Sequence, residues 1–465
     1  MSAAAALSVS RARADKRTIV ATAIIVLAGL GLELFAFWPG LMSIDSVVQY
    51  AQALLRQYND QHPPIMAWLW SLTDRVVAGP GGMLIVHLAL LWAGLWAIAE
   101  GARSRGLRHA WLIPLVGLLP TIANLAGVIW KDVGMAYALL CAGGVLYACE
   151  RKTPIVRFGA SVLALLLIGY AIMVRHNAAA ATLALACYVV KIHFPRLNIA
   201  RSIIGGAVLV AALMTTQQMI ERVALNASRS HLSQIAMLFD VAGIACGGAD
   251  VDIPAAFKVP GYEPSALCRS YDPNQVDALF FFPASPLRTS LDDASLAALR
   301  RVWLDAIIEH PKLYAVHRSR AFMALLGLRD VPRPYVALTQ PYMQPNPWGF
   351  TFEPTALSRT LDATVGVLAD HGVFNGALWV ALALALLTAV AIGRLSAPFE
   401  VALLASALMY VLPYFFLSLA PNYRFIYWSV LATSVAGVLL ALRAIGPAPD
   451  YETADRDVIS AVDGA

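Results

Sequence analysis

Charge is scarce in this sequence: Asp, Glu, Lys and Arg make up 14% of its 465 residues, where a soluble globular chain carries about 25%. Water alone is a poor solvent for such a chain. Cysteine is scarce as well, five in all. None stands in a CxxC pair, and HExxH and HxH spacings are missing, which argues against a structural zinc site and a disulfide-dense secreted fold. No Gly-rich phosphate loop is present, and the two DxD spacings, Asp250 with Asp252 and Asp455 with Asp457, fall in polar stretches and not in a nucleotide-binding fold. No internal repeat is long enough to suggest the inverted halves of many transporters. The formal net charge of +5 is explained by membrane topology before nucleic acid need be invoked.

What the chain has instead is apolar length. Hydrophobic residues make up 59% and mean hydropathy is +0.66, which points to an all-α polytopic membrane protein, because about 20 consecutive apolar residues cross a bilayer. About ten spans are expected, at 18–38, 82–100, 109–130, 133–149, 156–174, 178–192, 199–217, 372–392, 398–418 and 425–443. Arg103, Arg105 and Arg108, then Arg151, Lys152 and Arg157, then Lys191, Arg196 and Arg201, and finally Arg394 and Arg443 all fall in loops on the side of the basic N-terminal tail, 1–17. That side is therefore expected to be cytoplasmic. The opposite loops would face outward from a bacterial inner membrane. The tail 444–465, acidic and without apolar periodicity, is expected to be cytoplasmic and disordered.

Two outward loops are long. In 39–82 the apolar residues Val47, Val48, Ala51, Leu54 and Leu55 recur at helical spacing. The loop reads as two interfacial helices broken near Tyr58 to His62, with Asp60 as the expected cap of the second. The segment 218–371 concentrates Pro, Asp, Arg and Tyr and reads as a mostly helical or irregular domain between spans 7 and 8, joining the membrane module 18–217 to a three-span segment, 372–443. Within it, Pro311 divides an amphipathic stretch into two helices. Cys246 and Cys268 both fall in this domain and are expected to pair outside the cytoplasm. Cys141, Cys149 and Cys187 lie in apolar spans, where a thiol behaves as a small hydrophobe.

Ionisable residues at span ends are costly unless they serve a purpose. They collect at the outward ends: Glu33, Asp45, Lys131 with Asp132, Arg175 with His176 and Asn177, and Asn422 to Arg424. Glu33 is expected to be satisfied by a neighbouring helix, and Trp130, Tyr423 and Tyr427 could be no more than interface aromatics. The rest suit a polyprenyl-phosphate sugar donor, whose tail stays in the bilayer and whose phosphate sits at headgroup level. Lys131, Arg175 and Arg424 could pair the phosphate and its developing charge. Asp45, with Asp132, could take a proton from the acceptor hydroxyl. Gln49, His62, Asn177 and Tyr423 are the candidates for orienting substrate.

On these residues the sequence resembles the GT-C superfamily of integral-membrane glycosyltransferases, which includes protein O-mannosyltransferases and aminoarabinose transferases. The similar elements are Pro39-Gly40, Ser43-Ile44-Asp45-Ser46, Gln49 and His62-Pro63-Pro64 in the first outer loop, Trp130-Lys131-Asp132 after the third span, and Arg424 near a late span. The resemblance implies a lipid-linked donor, inverting transfer with Asp45 as base, a glycan, lipid or protein acceptor, and in some relatives a divalent metal. Two other readings remain. A transporter or flippase of a lipid-linked or small anionic substrate would need ionisable residues near mid-membrane, and a non-catalytic scaffold would leave the polar turns unexplained.

Overall fold

The computed structural model describes residues 3–331 and 338–446, with side chains from Lys16 onward; the expected disordered tail from Pro447 lies outside them. The protein is helical, with isolated bridges and no extended strand among the described residues. Its main helices are α1 Ala3–Phe37, α2 Ile44–Leu55, α3 Pro64–Thr73, α4 Gly81–Ser104, α5 Lys131–Cys149, α6 Pro154–Val174, α7 Ala178–His193, α8 Ile199–Met219, α9 Ser233–Ala245, α10 Asp293–Glu309, α11 Pro311–Leu325, α12 Ala356–Ala369, α13 Gly376–Ile392, α14 Pro398–Val411 and α15 Tyr427–Ile445. Among the described residues seven helices are long and apolar enough to cross a membrane: Lys16–Phe37 within α1, then α4, α5, α6, Ile199–Ala224, Pro398–Leu417 and α15. The apolar α7 and α13, at 16 and 17 residues, are shorter.

The third expected span is not one helix. Residues 109–130 form a 3-10 stretch, Ala110–Leu118, a single turn, Pro120–Ala123, and an irregular run to Trp130. Pro114 and Pro120 each remove a backbone donor and force the break. Unpaired backbone is tolerated at membrane depth only where protein covers it, and residues 121–130 are all buried. Tyr423 and Tyr427 supply part of that cover. Their hydroxyls donate to the carbonyls of Thr121 at 2.8 Å and Ile122 at 2.7 Å.

Helix α5 is the most enclosed of the seven and packs along α4. Their backbones approach so closely that a Cβ on Gly94 would meet Cys141 N at 2.9 Å, and one on Gly144 would meet the Gly94 carbonyl at 2.6 Å. Glu33 meets the expectation of a helical neighbour: its Oε2 accepts from Trp92 Nε1 at 2.7 Å. At the basic end of the bundle, Glu150 and Glu400 are held by Arg105 and Arg443.

At the opposite end the first loop folds into α2 and α3. The cap of α3 is Pro63, not Asp60; Asp60 instead accepts from Arg222 Nη2 at 2.7 Å and Ser230 N at 2.6 Å. Residues 235–321 build their own apolar core around Leu238, Phe239, Phe257, Leu279 and Leu299. Asp240 sits in that core with Arg318 Nε at 2.5 Å, His317 Nε2 at 3.3 Å and Trp303 Nε1 at 2.8 Å. The stretch after residue 338 lies over the first loop, where Gln344 N donates to Met42 O at 2.8 Å and Trp348 stacks edge-on to Tyr50.

Cys246 and Cys268 form a disulfide. Closing a loop of this length should stabilise the fold by about 3 kcal/mol. Cys246→Ser is therefore expected to lower the urea midpoint of the oxidised protein, followed by tryptophan fluorescence; an unchanged midpoint would mean that this closure contributes nothing.

Candidate functional site

Four chain segments meet at the loop end of the bundle. Asp45 projects from the first turn of α2, whose N-cap is Ser43; Ser43 N–H donates to Ser46 Oγ at 3.2 Å. Ser46 Oγ donates in turn to Ile129 O at 2.8 Å, and Trp130 Nε1 donates to Ser43 Oγ at 2.7 Å. These bonds clamp the start of α2 to the irregular run before α5, so Asp45 stands beside Lys131 and Asp132 in the first turn of α5. Trp130 is buried by this arrangement and is not an interface anchor. Arg175 follows the last residue of α6, and Arg424 lies in the short 3-10 turn Tyr423–Phe425 ahead of α15.

Arg424 joins the two carboxylates. Its Nη1 lies 2.8 Å from Asp45 Oδ2 and its Nε 3.9 Å from Asp132 Oδ2. Arg175 Nε approaches the other oxygen of buried Asp132 at 3.1 Å, while its Nη2 donates to Tyr414 Oη at 2.8 Å. Phe425 lies between the two guanidinium groups, 4.9 Å from Arg175 and 5.2 Å from Arg424, and Trp130 faces Arg424 at 4.8 Å. Such aromatic faces hold cations without competing for their N–H donors. Lys131 Nζ is 3.5 Å from His62 Nδ1.

The electrostatics follow from this crowding. Burial alone would raise the Asp45 carboxyl, but Arg424, Lys131 and His62 outweigh it and hold Asp45 far below the usual carboxylate range. Burial, then Lys131, pushes the His62 imidazole down to about 4, with Asp45 opposing and Arg424 and Arg175 adding to the shift. His62 is thus neutral at pH 7.

The remaining expected site residues are placed as follows. Gln49 lies one helical turn beyond Asp45, buried, with its Nε2 unpartnered among the described residues. Asn177 occupies the N-cap position of α7, two residues from Arg175. Tyr423 is buried, and its hydroxyl donates to the broken segment. The aromatic body of Tyr427 is likewise internal and not part of an interface belt.

Two further acids were not picked out from the sequence. Glu221, buried in the π-helical turn Ile220–Ala224, accepts from Gln217 Nε2 at 3.2 Å and lies 3.2 Å from His176 Nε2, next to Arg175. The same rule that selected Asp132, an acid at a span end, would have found it. Asp277, in the separate 235–321 core domain, has its carboxyl raised by burial, with Arg424 opposing and Asp45 adding to the shift, and nothing in its local sequence signals this.

Three cations facing two carboxylates that are already engaged make a cradle for an anion. Among the described residues no group of three or more His, Cys, Asp or Glu converges. Asp45 and Asp132 each face a guanidinium. No family model, curated protein or solved structure matches the chain.

The buried neutral His62 gives a testable pH dependence. Its folded value lies below the unfolded 6.5, so the unfolded state binds the extra proton, and this stability is complete above pH 6.5 and lost as pH falls toward 4. His62→Asn should flatten the fall in thermal midpoint between pH 6.5 and 4; a slope equal to wild type would contradict the burial argument.

Proposed function

We propose that the protein is a membrane glycosyltransferase that takes a sugar from a polyprenyl-phosphate donor, with its site facing outward from a bacterial inner membrane. One observation carries this reading: Lys131, Arg175 and Arg424 converge with Asp45 and Asp132 at one end of an apolar helical bundle. A lipid phosphate brings an anion to this depth with an apolar tail that needs no aqueous channel. The resemblance to GT-C enzymes agrees with this arrangement. In the same reading the broken segment 109–130 and the short α7 and α13 complete ten crossings, which returns both termini to the cytoplasm.

The chemistry has a built-in order. In the resting site Arg424 neutralises Asp45, and a carboxylate held so strongly ionised is a weak base. The donor phosphate competes for Arg424. Once Arg424 turns to the phosphate, Asp45 loses its main counter-charge and its proton affinity recovers. Asp45 then accepts the acceptor's hydroxyl proton as that oxygen attacks the anomeric carbon. The bond from carbon to phosphate oxygen breaks on the opposite face, and the electron pair leaves with the lipid phosphate, stabilised by Lys131, Arg175 and Arg424. Asp132 keeps Arg175 oriented.

This exchange separates two variants. Arg424→Ala removes a charge-assisted bond of about 1.5–3 kcal/mol and should weaken undecaprenyl phosphate binding by about tenfold to a hundredfold. Asp45→Asn should abolish sugar transfer by the purified protein yet bind undecaprenyl phosphate more tightly than wild type, because the competitor for Arg424 is gone. Titration by intrinsic fluorescence in detergent reads both. Unchanged or weaker binding by Asp45→Asn would refute the exchange, and intact transfer would refute Asp45 as base.

A further inference from the structure

The chain between α14 and α15 forms a loop that links the site to the 235–321 domain. Its two ends close on each other, Tyr414 stacking on Phe425 with ring centroids 5.3 Å apart. Tyr414 Oη accepts from Arg175, and Arg424 stands next to Phe425, so this closure carries both guanidinium groups of the cradle. Midway along the loop, Ser418 and Leu419 are held by the 235–321 domain. Arg318 Nη1 donates to Ser418 O at 3.0 Å, Val276 N–H donates to Leu419 O at 2.9 Å, and the Leu419 side chain packs against that domain's apolar core. Ser418 N–H in turn donates to Tyr414 O at 2.9 Å, and Phe415 meets Phe322 of α11 edge-on at 5.9 Å.

Arg318 is a costly residue for a core contact. It lies on α11, buried, with its Nε 2.5 Å from Asp240 Oδ1, and Asp240 Oδ2 accepts from Trp303 Nε1 at 2.8 Å. A buried ion pair adds little stability over apolar side chains of the same volume, and its best-attested use is to fix register. The fork of the guanidinium allows this, since one nitrogen is spent on Asp240 inside the domain and another on a carbonyl of the 414–425 loop. We propose that Arg318 is a positioning residue: through Ser418 it sets the register of the 414–425 loop against the 235–321 domain, and so holds Arg424 where it meets Asp45 and the donor phosphate. The phosphate's part in this rests on the glycosyltransferase reading above; the hold on Arg424 does not. Docking of the 235–321 domain thereby governs how strongly the cradle binds its anion.

The test uses full-length protein in detergent. The double change Asp240→Asn with Arg318→Met removes both buried charges together, keeps an acceptor for Trp303, and should leave the urea midpoint close to wild type. It should weaken undecaprenyl phosphate binding by about tenfold, and Arg318→Lys, which keeps the charge but not the fork, should show a smaller loss. In an Arg424→Ala background the same double change should weaken binding by about twofold or less, because the residue it acts through is gone. A cryo-electron microscopy map of the double variant without lipid should show Ser418 and Leu419 shifted and Arg424 drawn away from Asp45. Wild-type affinity in the double variant, an equal loss in the Arg424→Ala background, or a map with the Arg424–Asp45 pair intact would each overturn the assignment. If the double variant unfolds, Arg318→Lys decides, and wild-type affinity there would overturn it too. A wild-type protein that binds no undecaprenyl phosphate refutes the donor reading, and the map still decides the positioning.

Discussion

Arg424 holds Asp45 of the first loop at 2.8 Å and faces Asp132 of α5 at 3.9 Å, so a single guanidinium ties together three segments far apart in sequence. Removing the guanidinium would leave Asp132, the buried member of the group, short of a counter-charge. Much of the surrounding structure can be understood as keeping those partners in reach. Ser43, Ser46 and Trp130 clamp α2 to the run before α5. Tyr423 and Tyr427, on either side of Arg424, tie its turn to Thr121 and Ile122. Phe425 fills the gap between the two guanidinium groups. The broken segment 109–130 is the means by which Lys131 and Asp132 enter this arrangement, since it delivers the chain to α5 at the level of Asp45.

The cluster is also unstable in a useful sense. Asp132 accepts no well-aligned hydrogen bond despite its two ion-pair neighbours, and three cations outnumber the two acids they face. A bound anion relieves that imbalance. In the proposed reading, binding energy from the phosphate is converted into release of a base. Hydrolysis of the donor before it is seated is then disfavoured, because Asp45 stays paired with Arg424 until the phosphate arrives.

Much of this was legible in the sequence. Hydropathy marked the apolar helices, and scarcity of charge isolated Asp45, Lys131, Asp132, Arg175 and Arg424, which do meet in space. Hydropathy windows are blind to hydrogen bonding, so 109–130 read as one helix although Pro114 and Pro120 were visible. Tyr423 and Tyr427 sit where interface aromatics belong, and only the need of a broken backbone for donors explains their burial. Asp60 carries a capping residue type in a capping position, yet Arg222 and Ser230 claim it. The docking of Val276 onto Leu419 was beyond reach, because a backbone bond between distant segments leaves no local pattern.

The most direct test is a cryo-electron microscopy map of the protein with undecaprenyl phosphate. The phosphate is expected within hydrogen-bond distance of Lys131, Arg175 and Arg424, with Arg424 turned away from Asp45. A phosphate bound elsewhere, or one seated there with the Arg424–Asp45 pair intact, would contradict the account.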